Sequence, residues 1–403
     1  MHPASSGGSR YKQRNRVIPV RWTLGVVLGA LLAGTGCSGG LSASTRQTEP
    51  APARVHTQAP PPLSERYCAW FGDSREDVLY FGLAAFWSSL RASGGDPRAD
   101  LAIAGPRWIG RFSLADQRLL VPLDVGNRDE PSGVWDVLAH ENGRVYFTTY
   151  FDSAGSVDPV TGQVTLFPGA GLGLNELAHG PDGLLLATRY GYGEDALGAV
   201  VVIDPAGRVV AEHPLAAPPG WRALAKSLAF DPLRREIWVN TDLLPIAPET
   251  NAASPATRHD TRVLGFDGQE RLRFELPEVQ FMHFDPDGTG YFAERDGPQL
   301  WLRIRRPERA ASRLPSGLLI PLDEEFPAEL DFVQEIRTDG QGNAWLTRWS
   351  GWVHRVSKTG EASSFRLPRG EGDLYYTGVP WQGGVCATRC GDASVVCQPS
   401  PAG

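Results

Sequence analysis

The chain has 403 residues, of which 41% are hydrophobic and 21% charged, and its formal net charge is −7 at pH 7. This acidic balance argues against nucleic acid or an anionic lipid surface as the partner. With 46 glycines and 33 prolines set among short apolar runs, the sequence predicts a chain that is nearly all β.

Residues 1–36 have the pattern of an export signal. Basic residues come first, and residues 22–33 then form an apolar segment too short to span a bilayer. Small residues precede Cys37, and this end of the chain resembles a bacterial lipoprotein signal peptide. The resemblance implies cleavage before Cys37, lipidation of Cys37 by acyl chains such as palmitate and, with Ser38 next, sorting to the outer membrane. The alternative is an ordinary secretory signal with a chance cysteine.

Beyond the signal, the chain divides into a linker and one domain. Residues 37–62 are rich in Ser, Thr, Ala and Pro, which predicts a disordered tether. Residues 63–399 are expected to form a single folded domain. No further apolar segment has spanning length, so the lipid is the only membrane attachment that we expect.

A unit of roughly 45 residues recurs from Tyr67 to the C-terminus, and a repeat of this period is typical of a β-propeller. Each full copy reads as strand, Asp/Gly turn, strand, Asp-Pro-x-x-Gly turn, strand. The aligned units cover residues 67–125, 132–168, 173–216, 222–276, 279–322, 333–368 and 372–397. We therefore predict a single propeller with seven blades, or six if an end unit is irregular. The last unit is one strand short, and residues 53–57 are expected to supply that strand.

The turn motifs resemble those of the NHL, gluconolactonase and streptogramin-lyase propellers. They are Gly180-Pro-Asp-Gly183, Asp285-Pro-Asp-Gly288 and the segment at 339–345. The gluconolactonase likeness implies a Glu, an Asn and an Asp on one divalent metal, and Glu176, Asn175 and Asp136 are of these types. The streptogramin-lyase likeness implies a His/Glu/His set, but Glu335 has no flanking histidines.

Alignment of the repeats places two sets of mostly polar residues where the innermost strands begin. The first set is Asp136, Glu176, Ser227, Phe281 and Glu335, and the second is Trp135, Asn175, Lys226, Gln280 and Gln334. No cofactor is firmly implied, but Asp136, Glu176 and Glu335 are candidate ligands for Ca²⁺ or Mg²⁺, or an acid–base pair. The alternative is that each carboxylate accepts backbone N–H groups or pairs with Lys226 or an arginine.

Second strands end in arginines, namely Arg189, Arg295, Arg348 and Arg389. These side chains predict either a pocket for an anionic or sugar-like ligand or recurring Arg–carboxylate bridges between blades. Aromatic residues that can stack on a ligand or pack between blades lie nearby: Tyr150, Phe151, Tyr190, Tyr192, Trp349 and Trp352.

Two long insertions, at 88–107 and 243–261, follow second strands and are expected on one rim of the propeller. We therefore expect a lipid-anchored cell-envelope protein that binds an unknown ligand or envelope protein on this rim, rather than an enzyme. The alternative is a metal-dependent lactonase, hydrolase or lyase with a carboxylate-lined central site.

Four cysteines remain besides Cys37, which in an exported protein suggests two disulfides. If residues 391–392 form a two-residue turn, Cys386 lies opposite Cys397, and Cys390 is left for Cys68. The alternatives are a longer turn, which breaks this pairing, or four free thiols.

The lipoprotein resemblance makes a direct prediction about Cys37. The wild-type protein is expected in the detergent phase after phase partitioning, and the Cys37→Ala variant in the aqueous phase, because only a lipidated residue 37 carries acyl chains. Aqueous partitioning of both proteins would rule out the anchor.

Overall fold

The computed structural model describes most of the predicted domain. The described residues are 54–57, 67–85, 108–126, 133–149, 154–170, 173–190, 197–246, 258–274, 278–297, 299–305, 318–320, 331–357, 359–370, 373–390 and 392–400. The signal peptide, Cys37 and most of both long insertions lie outside them. Within these residues, no helix is long and apolar enough to cross a membrane.

The part of the chain that the structure describes is built almost wholly of antiparallel strands. The first five are β1 (Arg54–Thr57), β2 (Tyr67–Arg75), β3 (Val78–Ala85), β4 (Trp108–Ser113) and β5 (Arg118–Asp124). The first four-stranded blade comprises β6 (Asp136–Ala139), β7 (Val145–Thr148), β8 (Ala154–Val157) and β9 (Val164–Leu166). The next comprises β10 (Leu174–His179), β11 (Leu185–Arg189), β12 (Ala199–Ile203) and β13 (Val209–Pro214).

Three further four-stranded blades follow in chain order. One comprises β14 (Trp221–Asp231), β15 (Glu236–Pro245), β16 (Arg258–Gly265) and β17 (Glu270–Phe274). Another comprises β18 (Glu278–Phe284), β19 (Gly290–Asp296), β20 (Gln299–Arg305) and β21 (Leu318–Ile320). The last comprises β22 (Val333–Thr338), β23 (Ala344–Arg348), β24 (Trp352–Val356) and β25 (Ala362–Arg366). Two 3-10 helices, Pro168–Ala170 and Pro181–Gly183, lie in connections.

The two ends of the chain share one sheet. The final strands are β26 (Leu374–Trp381), β27 (Gly384–Cys390) and β28 (Ser394–Pro399). Together with the first five strands they form an eight-stranded sheet. The two halves of this sheet meet where β2 pairs with β27, with Cys68 opposite Cys390.

The all-β propeller is confirmed, but the predicted count of seven blades, or six, is wrong. Five separate four-stranded blades are present among the described residues, and the strands assigned to the first and last repeats are merged into the eight-stranded sheet. The cause is the pairing of β2 with β27, which the alignment of repeats along the sequence does not show.

Seven innermost strands surround a central channel. In order around the ring they are β2, β6, β10, β14, β18, β22 and β26, and each contacts the next, with β26 returning to β2. The predicted extra strand is confirmed, since β1 pairs with β28 from Arg54 opposite Cys397 to Thr57 opposite Ser394. The N-terminal end of the domain therefore covers the edge of the C-terminal hairpin, which protects that edge from pairing with another chain.

The turns follow the chemistry that the repeats predict. The Asp158 carboxylate accepts hydrogen bonds from Val160 N (2.8 Å) and Thr161 N (3.1 Å). At the matching turn Gly207 has φ +87°, and a Cβ there would lie 2.0 Å from the Phe167 ring. The Asp-Pro turns that end in glycine, one of them a residue shorter than the other, thus fix these two hairpins locally.

The apolar core lies between neighbouring sheets. Val200 of β12 and Ile237 and Val239 of β15 are all fully buried and belong to one cluster that joins two adjacent blades. Residues of β7, β8 and β11 form the next cluster, so the core continues from sheet to sheet around the ring. Each sheet thus buries both of its faces. Without closure of the ring, the first and last sheets would each leave one apolar face exposed.

Both predicted disulfides are confirmed. Cys68 bonds to Cys390 across 322 residues of sequence, and Cys386 bonds to Cys397 across 11. All four cysteines are buried. The first bridge joins the two ends of the chain, and the second lies within the C-terminal hairpin.

The two bridges are expected to contribute unequally to stability. In the chain-entropy description, the long bridge stabilises by about 6 kcal/mol and the short one by about 3 kcal/mol. Urea unfolding should therefore show a larger loss for Cys68→Ala/Cys390→Ala than for Cys386→Ala/Cys397→Ala. Equal losses would contradict the view that ring closure is the main stabilising cross-link.

Candidate functional site

A β-bulge recurs at the same point of the inner strands. The register shifts between Ala69/Gly72, Leu174/Leu177, Ala225/Ser227, Val279/Phe281, Val333/Glu335 and Tyr375/Gly378. At each shift one or two residues have no opposite partner on the second strand, and such bulges turn side chains away from the regular alternation. The bulges contain or adjoin most of the residues that sequence analysis aligned at the channel mouth, including Asn175, Glu176, Lys226 and Glu335.

Buried threonines on the second strands hold the bulges in place. Thr188 Oγ1 accepts a hydrogen bond from Glu176 N (3.0 Å), and Thr148 Oγ1 donates to Asn175 O of the following blade (2.6 Å). Thr388 Oγ1 both accepts from Thr377 N and donates to Trp70 O, at 3.0 Å each. These bonds satisfy backbone groups that the bulge removes from the ladder, so the mouth of the channel is rigidly built.

Three carboxylates, Asp136, Glu176 and Glu335, face one another within the ring, and we call them the carboxylate ring. Burial and the neighbouring negative charges raise the pKa of Asp136 to about 7, although Val137 N and Leu177 N donate to its carboxylate. Burial also raises the pKa of Glu335 to about 7 against the opposing charge of Arg337. The ring is therefore partly protonated at neutral pH.

Glu176 differs from the other two members of the carboxylate ring. Burial first, and then the charges of Asp136 and Glu335, raise its pKa well above the usual value, while Lys226 opposes this shift. The side chain is half-buried, and its carboxylate has no hydrogen bond or ion pair within the described residues. It is therefore the carboxylate best placed to meet a ligand from the channel mouth.

An ion pair joins two inner strands, β22 and β2, next to the carboxylate ring. Arg337 Nη1 of β22 donates to Asp73 Oδ1 of β2, and Arg337 Nη2 donates to Gly72 O (2.9 Å). From the other side Ala139 N donates to Asp73 Oδ2 (3.1 Å), and His179 Nε2 lies 3.4 Å from the same oxygen. Arg337 Nε is also 3.2 Å from Glu335 Oε1, so this group, which we call the floor, adjoins the carboxylate ring.

An aromatic cluster, part buried and part half-exposed, adjoins Asp136 through Trp135. It comprises Trp70, Phe71, Trp135, Trp349 and Tyr376, which we call the aromatic wall. The ring centroids of Trp70 and Trp135 are 4.5 Å apart, and those of Phe71 and Trp135 are 5.5 Å apart. Phe71, Trp135 and Trp349 are only half-buried, so the wall offers ring surface to the channel side.

Charged groups occupy the other side of the mouth. Lys226 Nζ lies 3.8 Å from both Asp242 Oδ1 and Glu278 Oε1, and 5.7 Å from the centre of the Phe332 ring. His259 Nδ1 is 2.8 Å from Asp242 Oδ1 on the neighbouring strand. Lys226 is thus held by two carboxylates at the edge of the mouth.

The arginines aligned by sequence lie away from the carboxylate ring. Arg189 Nη2 donates to Ala170 O (2.8 Å), and Arg189 Nε donates to Glu212 Oε1 (3.0 Å). Arg348 is fully buried and pairs with Asp331. Both side chains connect neighbouring segments of the propeller.

The remaining aligned residues fall into three groups. Trp349 belongs to the aromatic wall, and Tyr190 is half-buried, with its backbone N–H bonded to Gly173 O. Asn175 is buried and donates weakly to Lys226 O at 3.4 Å. Tyr150, Phe151 and Tyr192 lie outside the described residues.

Sequence analysis did not assign Asp73, Arg337 or His179 to the site. The sequence does indicate that Arg337 lies on the same face of its strand as Glu335, because side chains two residues apart share a face. It does not indicate the pairing of Arg337 with Asp73, because 264 residues separate them. Among the described residues, no three His, Cys, Asp or Glu side chains are arranged to hold one metal ion.

The fold and the channel define a β-propeller, and comparison with solved structures supports this class. A catalytically inactive variant of virginiamycin B lyase from Staphylococcus aureus, solved with quinupristin, matches with TM-score 0.57 and 11% identity over 86% of this chain and 99% of that chain. The Pan2 WD40 domain of Neurospora crassa matches with TM-score 0.53 and 12% identity over 86% and 92% of the two chains. At these identities the likeness shows the fold alone. No protein-family model and no curated protein sequence matches the chain.

The raised pKa of Asp136 predicts a pH dependence of stability. Between its unfolded value near 4 and its folded value of about 7, the folded state binds more protons, so stability falls as pH rises through this window. Asp136→Asn is expected to lose less stability than wild type between pH 4.5 and 8 in urea unfolding. The exposed Asp116→Asn variant serves as control and should follow wild type. Parallel curves for Asp136→Asn and wild type would contradict the assignment.

Proposed function

We propose that the protein binds a small organic ligand at the mouth of the central channel, between the aromatic wall and the carboxylate ring. The observation that supports this most directly is Glu176, a carboxylate at the mouth without an ion-pair partner among the described residues. Burial raises the pKa of this carboxyl group and so favours its protonated form, and a bound positive or hydrogen-bonding group would supply the partner that the ionised form lacks. A rigid site that combines aromatic surface with a few convergent polar groups is typical of ligand pockets.

We further propose that the protein acts in the cell envelope. The lipoprotein-like end at Cys37 would hold it at the outer membrane through a lipid alone. We also expect the two long insertions, which connect β3 to β4 and β15 to β16, on the rim of the channel mouth, because each follows the second strand of its sheet. An envelope protein that docks on this rim would contact the same surface, so a protein partner is the second form of this proposal.

A metal-dependent lactonase, hydrolase or lyase is the alternative function. It is favoured by one observation, the raised pKa of Asp136 and Glu335, since carboxyl groups that titrate near neutral pH suit general acid–base catalysis. The same shifts also arise in any ring of buried carboxylates. The binding function is therefore the simpler interpretation of the geometry.

The binding function is tested with three probes that share one apolar body: benzylamine, benzoate and benzyl alcohol. Quenching of tryptophan fluorescence is expected for at least one probe with wild type, and the affinity should fall at least about fivefold in Trp135→Leu, because part of the aromatic wall is removed. Trp301→Leu, on the separate strand β20, is the matched control and should bind as wild type.

Two results would contradict the proposal. If no probe binds, the mouth is not a site for small organic ligands. If binding is equal in wild type and Trp135→Leu, the ligand lies elsewhere. Hydrolysis or elimination of a lactone substrate that requires Asp136 would favour the enzymatic alternative.

A further inference from the structure

The composition of the site points to the charge of its ligand. We infer that the channel mouth binds an organic cation, an alkylammonium group, which Glu176 pairs with while Phe71 and Trp135 contact its carbon surface. This inference rests on the proposed ligand-binding function and specifies its ligand class. It follows from three observations: the distribution of cations, the spacing of the carboxylates and the position of the rings.

The cations near the site are already engaged by other carboxylates. Arg337 contacts Asp73 and Glu335, and Lys226 Nζ lies 3.8 Å from both Asp242 and Glu278. These two cations therefore already contact four carboxylates, and Glu176 is not one of them. Within the described residues no Lys, Arg or His lies within ion-pair distance of Glu176, so a bound cation is the group that would stabilise its ionised form.

The spacing of the carboxylates favours an organic cation over a bare metal ion. Asp136, Glu176 and Glu335 are close enough to influence each other's ionisation, but among the described residues they do not form a cluster of metal-ligand dimensions. Asp136 is also turned toward Val137 N and Leu177 N, which donate to it at 2.8 and 2.7 Å. A larger cation with its charge spread over alkyl groups needs one carboxylate and no short coordination bonds.

The aromatic rings supply the second half of the site. Phe71 lies in the bulge of β2, and Trp135 directly precedes Asp136, so both border the carboxylate ring. Both are half-buried and have accessible ring surface. Faces of Trp and Phe attract ammonium groups through the ring quadrupole, and this attraction is strongest for cations that lose little hydration on binding.

Cation binding and proton release are linked at this site. A carboxyl group with a raised pKa is partly protonated in the free protein, and a bound positive charge favours its ionised form. Binding of an alkylammonium at neutral pH is therefore expected to release a fraction of a proton to the buffer, whereas binding of a neutral molecule of the same shape is not.

The test compares choline with its neutral isostere 3,3-dimethylbutan-1-ol by isothermal titration calorimetry at pH 7. Wild type is expected to bind choline at least about tenfold more tightly than the alcohol, and the heat of choline binding should depend on the ionisation enthalpy of the buffer. Glu176→Gln should remove both the preference and the buffer dependence. Glu361→Gln, an exposed carboxylate in the β24–β25 turn, should retain both.

Equal affinity for choline and the alcohol would overturn the inference that the ligand is an organic cation. Binding of either molecule at the aromatic wall would still support the proposed ligand-binding function. Failure of choline together with all three benzyl probes would overturn both. Displacement of choline by millimolar CaCl₂ in wild type, with calcium binding lost in Glu176→Gln, would assign the site to a metal ion instead. Glu176→Gln that unfolds at the same urea concentration as wild type confirms that its binding defect is local.

Discussion

The pairing of β2 with β27 is the constraint on which the rest of the structure depends. A propeller ring stays closed only if its two chain ends are held together, and here the Cys68–Cys390 bridge lies at the residue pair that joins the end strands. Once that contact forms, the seven innermost strands enclose a channel of fixed outline. The carboxylate ring, the aromatic wall and the floor are built from residues on or beside β2, β6, β10, β22 and β26, so the site spans the closure point.

The bulges convert this closed ring into a site. In a regular strand, side chains would alternate between the channel and the sheet interior, and only one residue per level would reach the axis. The extra residue at each bulge brings a second side chain to the mouth, which is how Trp70 and Phe71 of β2 both join the aromatic wall. The threonines that bond the freed backbone groups keep the bulges in position.

The sequence predicted the parts of this fold that local chemistry determines. The Asp-Pro-x-x-Gly turn at Asp158 and the Cys386–Cys397 bridge follow from a short motif and from spacing within one hairpin, and the structure agrees. The Cys68–Cys390 bridge then follows by elimination, and the strand from residues 53–57 follows from the strand that the last repeat lacks. The blade count failed because it depends on which strands pair across the two chain ends. Asp136, Glu176 and Glu335 could be aligned by repeat position, but Asp73 and Arg337 could not be paired, since their contact exists only after the ring closes.

The Asp73–Arg337 ion pair has a topological consequence. Arg337 of β22 reaches past the intervening strand β26 to Asp73 of β2, so the pair ties together inner strands that are not neighbours in the ring. This tie spans the point where the chain ends meet, in addition to the pairing of β2 with β27. Closure of the ring is therefore redundant, and opening it at this point requires the loss of both connections.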